Sequence, residues 1–230
     1  MQIAGWLRLR YPGTPLMQIS HETIYRTLFV QTRGALKAEL LDYLRTRRRM
    51  RSAKNVQNKE RIVDGLSIRE RPAEAEDRAV PGHWEGDLLA GDKSSFIATL
   101  VERSTRFALL VKVPSKETEV VVDAIAKHIR KLPDELRRSL TWDRGTEMAA
   151  HKRFTLETSV AVYLCDPRAP WQRGSNENTN GLLRQYFPKG ESVAGYTQAE
   201  LNRVARELNG RPRKTLGFHT PAEKLAELLR

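Results

Sequence analysis

The sequence predicts an α/β protein with a mixed five-stranded sheet and flanking helices, preceded by a small all-α segment. Apolar residues recur with the helical period up to about residue 50 and with the strand period of two after about residue 80. The first three strand candidates have short connectors, which favour an antiparallel meander, and helices separate the later strands, which favours parallel pairing. The predicted order is therefore βββαβαβα.

The five strand candidates follow one another after residue 80. In chain order they read HWEGDLLAG, FIATLVE, FALLVKV, SLTW and VAVYLC. The third places Phe107, Leu109, Val111 and Val113 on one face. Helices are predicted over about 115–132 and 146–158, and from Ser175 onward.

The N-terminal segment is predicted to hold three helices. The first covers about 1–10, Ser20 can cap the second, and the third covers about 34–50. This arrangement resembles a helix-turn-helix, although such short helix pairs also occur in proteins that bind no nucleic acid. Residues 51–78 are polar, mixed in charge and poor in aromatics, which is typical of a linker.

The chain is strongly basic, and the excess is uneven. It has 40 Lys and Arg against 28 Asp and Glu, a net charge of +12, and residues 1–72 hold 15 basic and 6 acidic side chains. This asymmetry predicts a phosphate-rich partner such as DNA or RNA, although a charged surface can also serve solubility alone. The candidate DNA contacts in this part are Tyr25, Arg26, Arg45, Arg47, Arg48, Arg49 and Arg51.

Composition excludes two classes of protein. The single cysteine, Cys165, excludes an internal disulfide framework and a cysteine-rich zinc site. No run of 18 apolar residues occurs, so neither a membrane span nor a signal peptide is expected. We therefore expect a soluble protein of the cytoplasm.

Three acidic residues are candidates for a metal site. Asp143 directly follows the fourth strand, and functional groups of α/β sheets commonly lie at the carboxyl ends of parallel strands. Asp87 lies within the first strand, and Glu177 lies at the start of the helix after the fifth strand. If the first and fourth strands are neighbours, Asp87 and Asp143 approach each other. Carboxylates held together need a cation, and oxygen-only ligands favour Mg²⁺ or Mn²⁺. Two such ions would support an in-line displacement at phosphorus.

Each carboxylate also has a structural interpretation. Asp143 could close a turn through its side chain, Asp87 could be a buried ion-pair partner, and Glu177 could complement the helix dipole. His83 and His151 lie near the supposed site. Lone histidines are more often hydrogen-bonded structural residues than ligands, so neither is placed in the metal set.

The helix after Ser175 has two faces. Its apolar stripe is formed by Thr179, Leu182, Leu183 and Tyr186. Its polar stripe is formed by Glu177, Asn180, Gly181 and Arg184. A glycine inside a helix costs about 1 kcal/mol relative to alanine, so Gly181 suggests that a DNA strand approaches the backbone there. Three more candidate DNA contacts in this region are Arg173, Asn180 and Arg184.

Five segments of the chain carry a family resemblance. They are GHWEGDLL, TLVERSTRF, TWDRGTEMAAH, AVYLCDPRAPWQRGSNENTNGLLRQYFPKG and LNGRPRKTLGFHTPAE. In this order they resemble the transposases of insertion-sequence family thirty, bacterial enzymes of the DDE type. The resemblance implies a ribonuclease H-like core shared with retroviral integrases, with Asp87, Asp143 and Glu177 as the metal-binding catalytic triad. Asp143 and Glu177 are 34 residues apart, similar to the DDE pattern.

The activity that the resemblance implies is DNA transposition. Such an enzyme uses Mg²⁺ or Mn²⁺ to cut the element's ends with water, and the freed 3′-OH then attacks target DNA. The expected partners are element ends and target DNA, bound by a homo-oligomer in a bacterial cytoplasm, at the nucleoid. The rival hypothesis is a catalytically silent fragment that only binds DNA or inhibits an intact transposase. A tyrosine recombinase ranks third, because no supporting Arg and His set around a nucleophilic Tyr is discernible.

The domain prediction combines these points. It places a helix-turn-helix-like DNA-binding segment at 1–50, a basic linker at 51–78 and an integrase-type catalytic domain with C-terminal helices at 79–230. Family members commonly read Asp-Asn-Gly where this chain has Asp-Arg-Gly at 143–145, and they usually carry a further N-terminal helix-turn-helix. This chain opens within a predicted helix, so the sequence predicts a shortened copy with a complete triad.

Overall fold

The chain divides into two compact units. In the computed structural model the described residues are 1–24, 62, 64–92, 95–167 and 169–229. One unit is Gln57–Asn209, and the other joins Met1–Val56 with Gly210–Arg230. The sheet lies in the first unit, which begins within the expected linker and ends before the expected catalytic domain does. The predicted domain bounds remain a prediction.

The larger unit is built on a mixed sheet. Its strands are β1 Leu66–Ser67, β2 His83–Ala90, β3 Phe96–Glu102, β4 Ala108–Val113, β5 Ser139–Trp142 and β6 Ala161–Leu164. Within the described residues the strand order is β1-β6-β5-β2-β3-β4. Strands β2, β3 and β4 form an antiparallel meander, whereas β1, β6, β5 and β2 pair in parallel. The predicted mixed sheet is confirmed, with all five predicted strands present.

Helices surround this sheet and also occur in the smaller unit. They are α1 Gln2–Arg10, α2 Ala73–Asp77, α3 Thr118–Ile129, α4 His151–Thr158, α5 Gly174–Leu183, α6 Gln198–Asn209 and α7 Pro221–Leu228. Ser115 precedes α3 and accepts a hydrogen bond from the N–H of Glu117 at 3.3 Å, while Ser175 lies inside α5. The predicted helix after β5 is split into a 3₁₀ turn, Thr146–Met148, and α4. No helix in the described part of the chain is long and apolar enough to span a membrane.

The strand that the sequence did not predict is β1, which lies in the expected linker. It pairs in parallel with β6 and places Leu66 opposite Tyr163. A strand of two residues is too short to show an alternating apolar pattern, so the polar composition of this stretch led to the prediction of a linker. The chain beyond β1 is also folded, since it forms a 3₁₀ turn at Ile68–Glu70 and then α2, where Ala75 is fully buried.

The two faces of the sheet bury separate apolar clusters. On the face that we call the α3 face, α3 and α4 cover Trp84 and Trp142. On the opposite face, the α5 face, α5 and α6 cover Leu89 and Ile97. The predicted stripe of β4 is confirmed, because all four residues contribute to the α3-face cluster: Phe107, Leu109, Val111 and Val113.

The pairing of β2 with β5 sets the position of the candidate acids. Glu85 lies opposite Thr141 in this parallel pair. Side chains alternate along a strand, so Asp87 lies on the same α5 face as Glu85. By the same alternation, Asp143, two residues after Thr141, also lies on the α5 face. Between the two acids of β2, Gly86 faces the α3 side, where an added Cβ would lie 2.2 Å from ring atom Cζ3 of Trp142.

Substitution of Gly86 by Ala is expected to destabilise the protein. The ring of Trp142 is fully buried in a close-packed core, so the added methyl group overpacks that core. Overpacking of this kind typically costs about 1–3 kcal/mol of unfolding free energy. Urea unfolding followed by circular dichroism measures this change.

Gly181 offers the matched control, because a Cβ there meets nothing within 4 Å. Gly181→Ala is expected to stabilise the protein by up to about 1 kcal/mol, since alanine is the better helix former. Equal changes in the two variants would contradict the packing explanation for Gly86. A loss of DNA binding in Gly181→Ala would support the predicted approach of a DNA strand to this backbone.

The smaller unit begins as the sequence predicted. Helix α1 has no side-chain cap, and the side chain of Ser20 accepts a hydrogen bond from the N–H of Thr23 at 3.0 Å, which starts a helical turn at 21–24. The rest of the predicted second helix and all of the third lie outside the described residues. Near the C-terminus, Thr220 caps α7 in a reciprocal box with Glu223.

Candidate active site

Two aspartates share one arginine on the α5 face of the sheet. Asp87 lies in β2, and Asp143 directly follows β5. The guanidinium of Arg173, which immediately precedes α5, contacts both carboxylates. Its Nη1 lies 3.2 Å from Oδ1 of Asp87, and its Nη2 lies 3.2 Å from Oδ2 of Asp143. The fold therefore brings these two of the three predicted acids together.

Other hydrogen bonds orient the two carboxylates. The side-chain amide of Asn180 donates to Oδ2 of Asp87 at 3.0 Å, and the N–H of Gly145 donates to Oδ1 of Asp143 at 2.9 Å. Asp87 is thus also an ion-pair partner, and Asp143 also closes a turn, which are the structural roles that the sequence allowed. The side chains of Asp87 and Asp143 are nevertheless 30% and 42% exposed, so both remain accessible to a ligand.

The charges at this site favour an additional cation. Burial raises the pKa of Asp87 above its ordinary value; Arg173 opposes this shift, and Asp143 adds to it. Burial likewise raises the pKa of the nearby Glu147, with Asp143 as the next cause. The raised pKa of Asp87 means that Arg173 does not fully compensate the cost of burying its charged form. Asp87 and Asp143 are accessible carboxylates beside each other, and they fit Mg²⁺ or Mn²⁺, which prefer oxygen ligands.

No contact among the described residues links the third predicted acid to this pair. Glu177 is exposed in the first turn of α5, and no hydrogen bond or ion pair joins it to Asp87 or Asp143. Among the described residues, no three His, Cys, Asp or Glu side chains are arranged to hold one metal ion. The complete triad therefore remains a prediction, and the residues that fit a divalent ion together are the two aspartates.

Asn176 fixes the start of α5 on the sheet and was not identified from the sequence. Its side chain is fully buried. The amide nitrogen donates to the carbonyls of Glu85 at 2.8 Å and Thr99 at 2.9 Å, and the amide oxygen accepts from the Thr99 hydroxyl at 3.0 Å. Because Asn176 directly precedes Glu177, this anchor also sets where the third predicted acid lies.

A buried ion pair lies beside this anchor and was also missed. Glu85 and Arg103 are 0% and 5% exposed, and their side chains form an ion pair. The second carboxylate oxygen of Glu85 accepts the N–H of Asn176 at 2.9 Å, and Nε of Arg103 donates to the carbonyl of Ala75 at 2.8 Å. The pair thus ties β2, the residue that follows β3, α2 and α5 together.

The predicted DNA contacts fall into two groups. Three lie in the described part of the chain, where the structure shows internal contacts for each. Arg173 holds the aspartates, Asn180 donates to Asp87, and Arg184 donates to the carbonyls of Ala90 at 2.9 Å and Phe187 at 3.3 Å. The others lie outside the described residues: Tyr25, Arg26, Arg45, Arg47, Arg48, Arg49 and Arg51. Their role in DNA binding remains a prediction.

His83 has a structural role at the start of β2. Its Nδ1 lies 2.7 Å from the hydroxyl of Ser139, and its Nε2 lies 3.3 Å from the carboxylate of Glu74. Burial lowers the pKa of His83 below its ordinary 6.5, and the bond to Glu74 opposes this shift without cancelling it.

The depressed pKa of His83 predicts a pH dependence of stability. Between the folded-state pKa and about 6.5, the unfolded chain binds more protons than the folded chain, so the unfolding free energy falls as pH falls through this window. Urea midpoints measured on both sides of pH 6.5 should show this loss, and His83→Gln should reduce it by up to about 1.4 kcal/mol for each unit of the pKa shift. An unchanged pH dependence in the variant would contradict this assignment.

Comparisons with known proteins agree with the fold. Residues 77–170 match the integrase core domain family. The chain is 50% identical over 227 residues to the transposase InsI for insertion sequence element IS30A of Escherichia coli strain K12, covering 96% of this chain and 59% of that protein. It is 44% identical over 231 residues to the transposase for IS1086 of Cupriavidus metallidurans, covering 99% of this chain and 68% of that protein. The transposase for IS4351 of Bacteroides fragilis is 35% identical over 231 residues.

These similarities span nearly the whole chain, whereas the chain spans 59% of the length of the Escherichia coli relative. The mixed sheet with flanking helices is the ribonuclease H-like fold of an integrase core. By its fold and by its likeness to transposases over almost all of its residues, the chain belongs to the IS30 family of insertion-sequence DDE transposases.

Proposed function

We propose that this chain catalyses metal-dependent DNA strand cleavage and strand transfer at the ends of an insertion sequence. The observation that carries the proposal is the pair Asp87 and Asp143, held by one guanidinium on neighbouring parallel strands of an integrase core. Metal-dependent phosphodiester chemistry uses accessible carboxylates of this kind to bind its divalent ions. In this reaction water cuts the element's end, and the freed 3′-OH then attacks target DNA.

Each residue of the site has a proposed task. Asp87 and Asp143 would hold Mg²⁺ or Mn²⁺, two ions in all, with Glu177 as the further ligand of the triad. Bound there, the ions would supply Lewis acidity that activates the attacking oxygen and stabilises the leaving one. Asn180 orients Asp87 through its 3.0 Å hydrogen bond, and Arg173 keeps the two carboxylates adjacent.

The partners and location follow from the same proposal. The DNA substrates are the element's ends and a target duplex, and the basic N-terminal segment supplies the positive field that attracts them. Two ends must be brought together for transposition, so we propose a homo-oligomer. The proposed location is the bacterial cytoplasm, at the nucleoid.

A cleavage and joining assay tests this proposal. Labelled DNA from the borders of the element is incubated with the chain in Mg²⁺, in Mn²⁺ or in EDTA, and nicked and joined products are resolved on denaturing gels. Products are expected with either metal and not with EDTA. An electrophoretic shift measures DNA binding separately. If the chain shifts the DNA but cuts it with neither metal, the rival hypothesis of a non-catalytic DNA-binding fragment is correct.

A further inference from the structure

A basic cavity lies beside the aspartate pair on the α5 face. Its volume is about 370 Å³, which falls in the range of small-ligand sites. The charged residues of its walls are Arg69, Arg71, Arg78, Arg103, Glu76 and Glu85. Four arginines against two glutamates leave a net positive charge, so the cavity suits an anion.

Two of these arginines have hydrogen-bonding capacity to spare. The side chain of Arg71 is only 3% exposed and contacts Thr141 and Glu76, each at 3.2 Å, yet its Nε–H has no acceptor among the described residues. Buried polar groups are nearly always satisfied, so an unpaired one that lines a cavity points to a ligand. Arg78 is exposed, and no ion pair joins it to an acid in the described part of the chain.

Mutual repulsion among the arginines supports the same conclusion. Burial is the main cause that lowers the pKa of Arg103; Glu85 opposes it, and Arg71, Arg78 and Arg106 lower the pKa further. The pKa of Arg106 is also lowered, mainly by burial and then by Arg78. These groups remain charged at neutral pH, so a bound phosphate would relieve their repulsion.

Trp171 places an aromatic surface at the same cavity. It is 73% exposed and lies in the 3₁₀ turn Pro170–Arg173. The next residue, Gln172, fixes this turn, because its side chain accepts the N–H of Asp166 at 2.7 Å and donates to the Asp166 carboxylate at 3.1 Å. An exposed aromatic ring beside a basic cavity is the combination that binds unpaired nucleobases.

The strand register places this cavity relative to the aspartates. Glu85 precedes Asp87 by two residues on the same face of β2, and Thr141, which contacts Arg71, precedes Asp143 by two residues in β5. Two residues of strand span about 7 Å. Phosphates that neighbour each other in one DNA strand are separated by a distance of this order, so the cavity can receive a phosphate close to the one at the aspartates.

We propose that this cavity binds a backbone phosphate close to the scissile phosphate, with the attached base unpaired and stacked on Trp171. The inference rests on the proposed function, because it takes the aspartate pair as the place where the DNA strand is cut. It adds a substrate requirement, namely that the DNA end is locally unpaired beside the site of cleavage.

DNA binding without metal tests this proposal separately from catalysis. Fluorescence anisotropy in EDTA compares a labelled duplex that has unpaired bases at one end with a blunt duplex of the same length. The full chain is expected to bind the unpaired end more tightly. Trp171→Ala should lose about 5- to 150-fold of that affinity, and Trp171→Phe should keep most of it. Arg78→Gln should weaken binding and reduce its salt dependence by about one phosphate contact.

Matched controls lie on the opposite face of the sheet. Leu156→Ala removes an apolar side chain that is 86% exposed on α4, and Arg130→Gln removes an exposed arginine at the end of α3. Both variants should bind either duplex like the unmodified chain. Thermal melting verifies that Trp171→Ala is folded, so a loss of affinity in that variant reports on binding.

Three results would overturn the proposal. In the first, Trp171→Ala binds the unpaired end as tightly as the unmodified chain does. In the second, Trp171→Ala weakens binding of the blunt duplex equally, or changes only the oligomeric state. In the third, inorganic phosphate competes with the labelled DNA as well as thymidine monophosphate does, which would remove the role of the base. Failure of strand cleavage alone would instead contradict the proposed function, because these measurements contain no metal.

Discussion

Substitution of Asp143 by Asn is expected to abolish strand cleavage and strand transfer while DNA binding is kept. The amide has nearly the same size and can still accept the hydrogen bond from the N–H of Gly145. It carries no negative charge, however, so it binds a divalent ion poorly and leaves the reacting phosphorus without stabilisation. The cleavage rate in Mg²⁺ should fall by at least about 10³-fold.

Metal binding provides a second measurement that does not depend on cleavage. Mg²⁺ or Mn²⁺ should raise the Tm of the unmodified chain, because a ligand that binds only the folded state stabilises it, and the increase should be smaller in Asp143→Asn. Asp123→Asn is the matched control, since Asp123 is an exposed acid of α3 that pairs with Arg153 at 2.8 Å. Cleavage by Asp143→Asn at the original rate, or an equal loss in Asp123→Asn, would contradict the proposed role.

The parts of the fold that were predicted correctly depend on local patterns. Short connectors and alternating apolar residues specify the β2-β3-β4 meander, since each strand pairs with its sequence neighbour. The approach of Asp87 to Asp143 needed one long-range assumption, that β2 and β5 are adjacent, and their register shows that they are. Helices between parallel strands leave few other arrangements, which is why this assumption could be made.

The residues that were missed make long-range polar contacts. Asn176 continues the apolar stripe of α5, three residues before Thr179 and seven before Leu183, so its position indicated burial. Its partners, the backbone of β2 and the side chain of Thr99, could not be read from spacing. The same holds for Glu85, whose charge in a buried strand implied a partner but did not identify Arg103.

Substitution of Glu85 by Gln is expected to destabilise the protein strongly. Glutamine keeps the shape and can still accept the N–H of Asn176, but it removes the charge that compensates the buried guanidinium of Arg103. Breaking a buried ion pair by removing one partner typically costs about 3–5 kcal/mol, because the remaining charge stays buried without compensation. The urea midpoint measures this loss.

The double variant Glu85→Gln, Arg103→Gln separates the charge from the packing. Removal of both charges should leave the protein more stable than Glu85→Gln alone, with an interaction free energy of about 1–3 kcal/mol between the two sites. The exposed pair Asp123 and Arg153 provides the comparison, since Asp123→Asn should change stability by less than about 1 kcal/mol.

If Glu85→Gln were no more destabilising than Asp123→Asn, the pair Glu85 and Arg103 would not be the structural link between α5 and the strands that carry the aspartates. Hydrogen exchange at the Asn176 amide would show the same link, because that N–H is bonded to Glu85 and should exchange faster once the charge is removed.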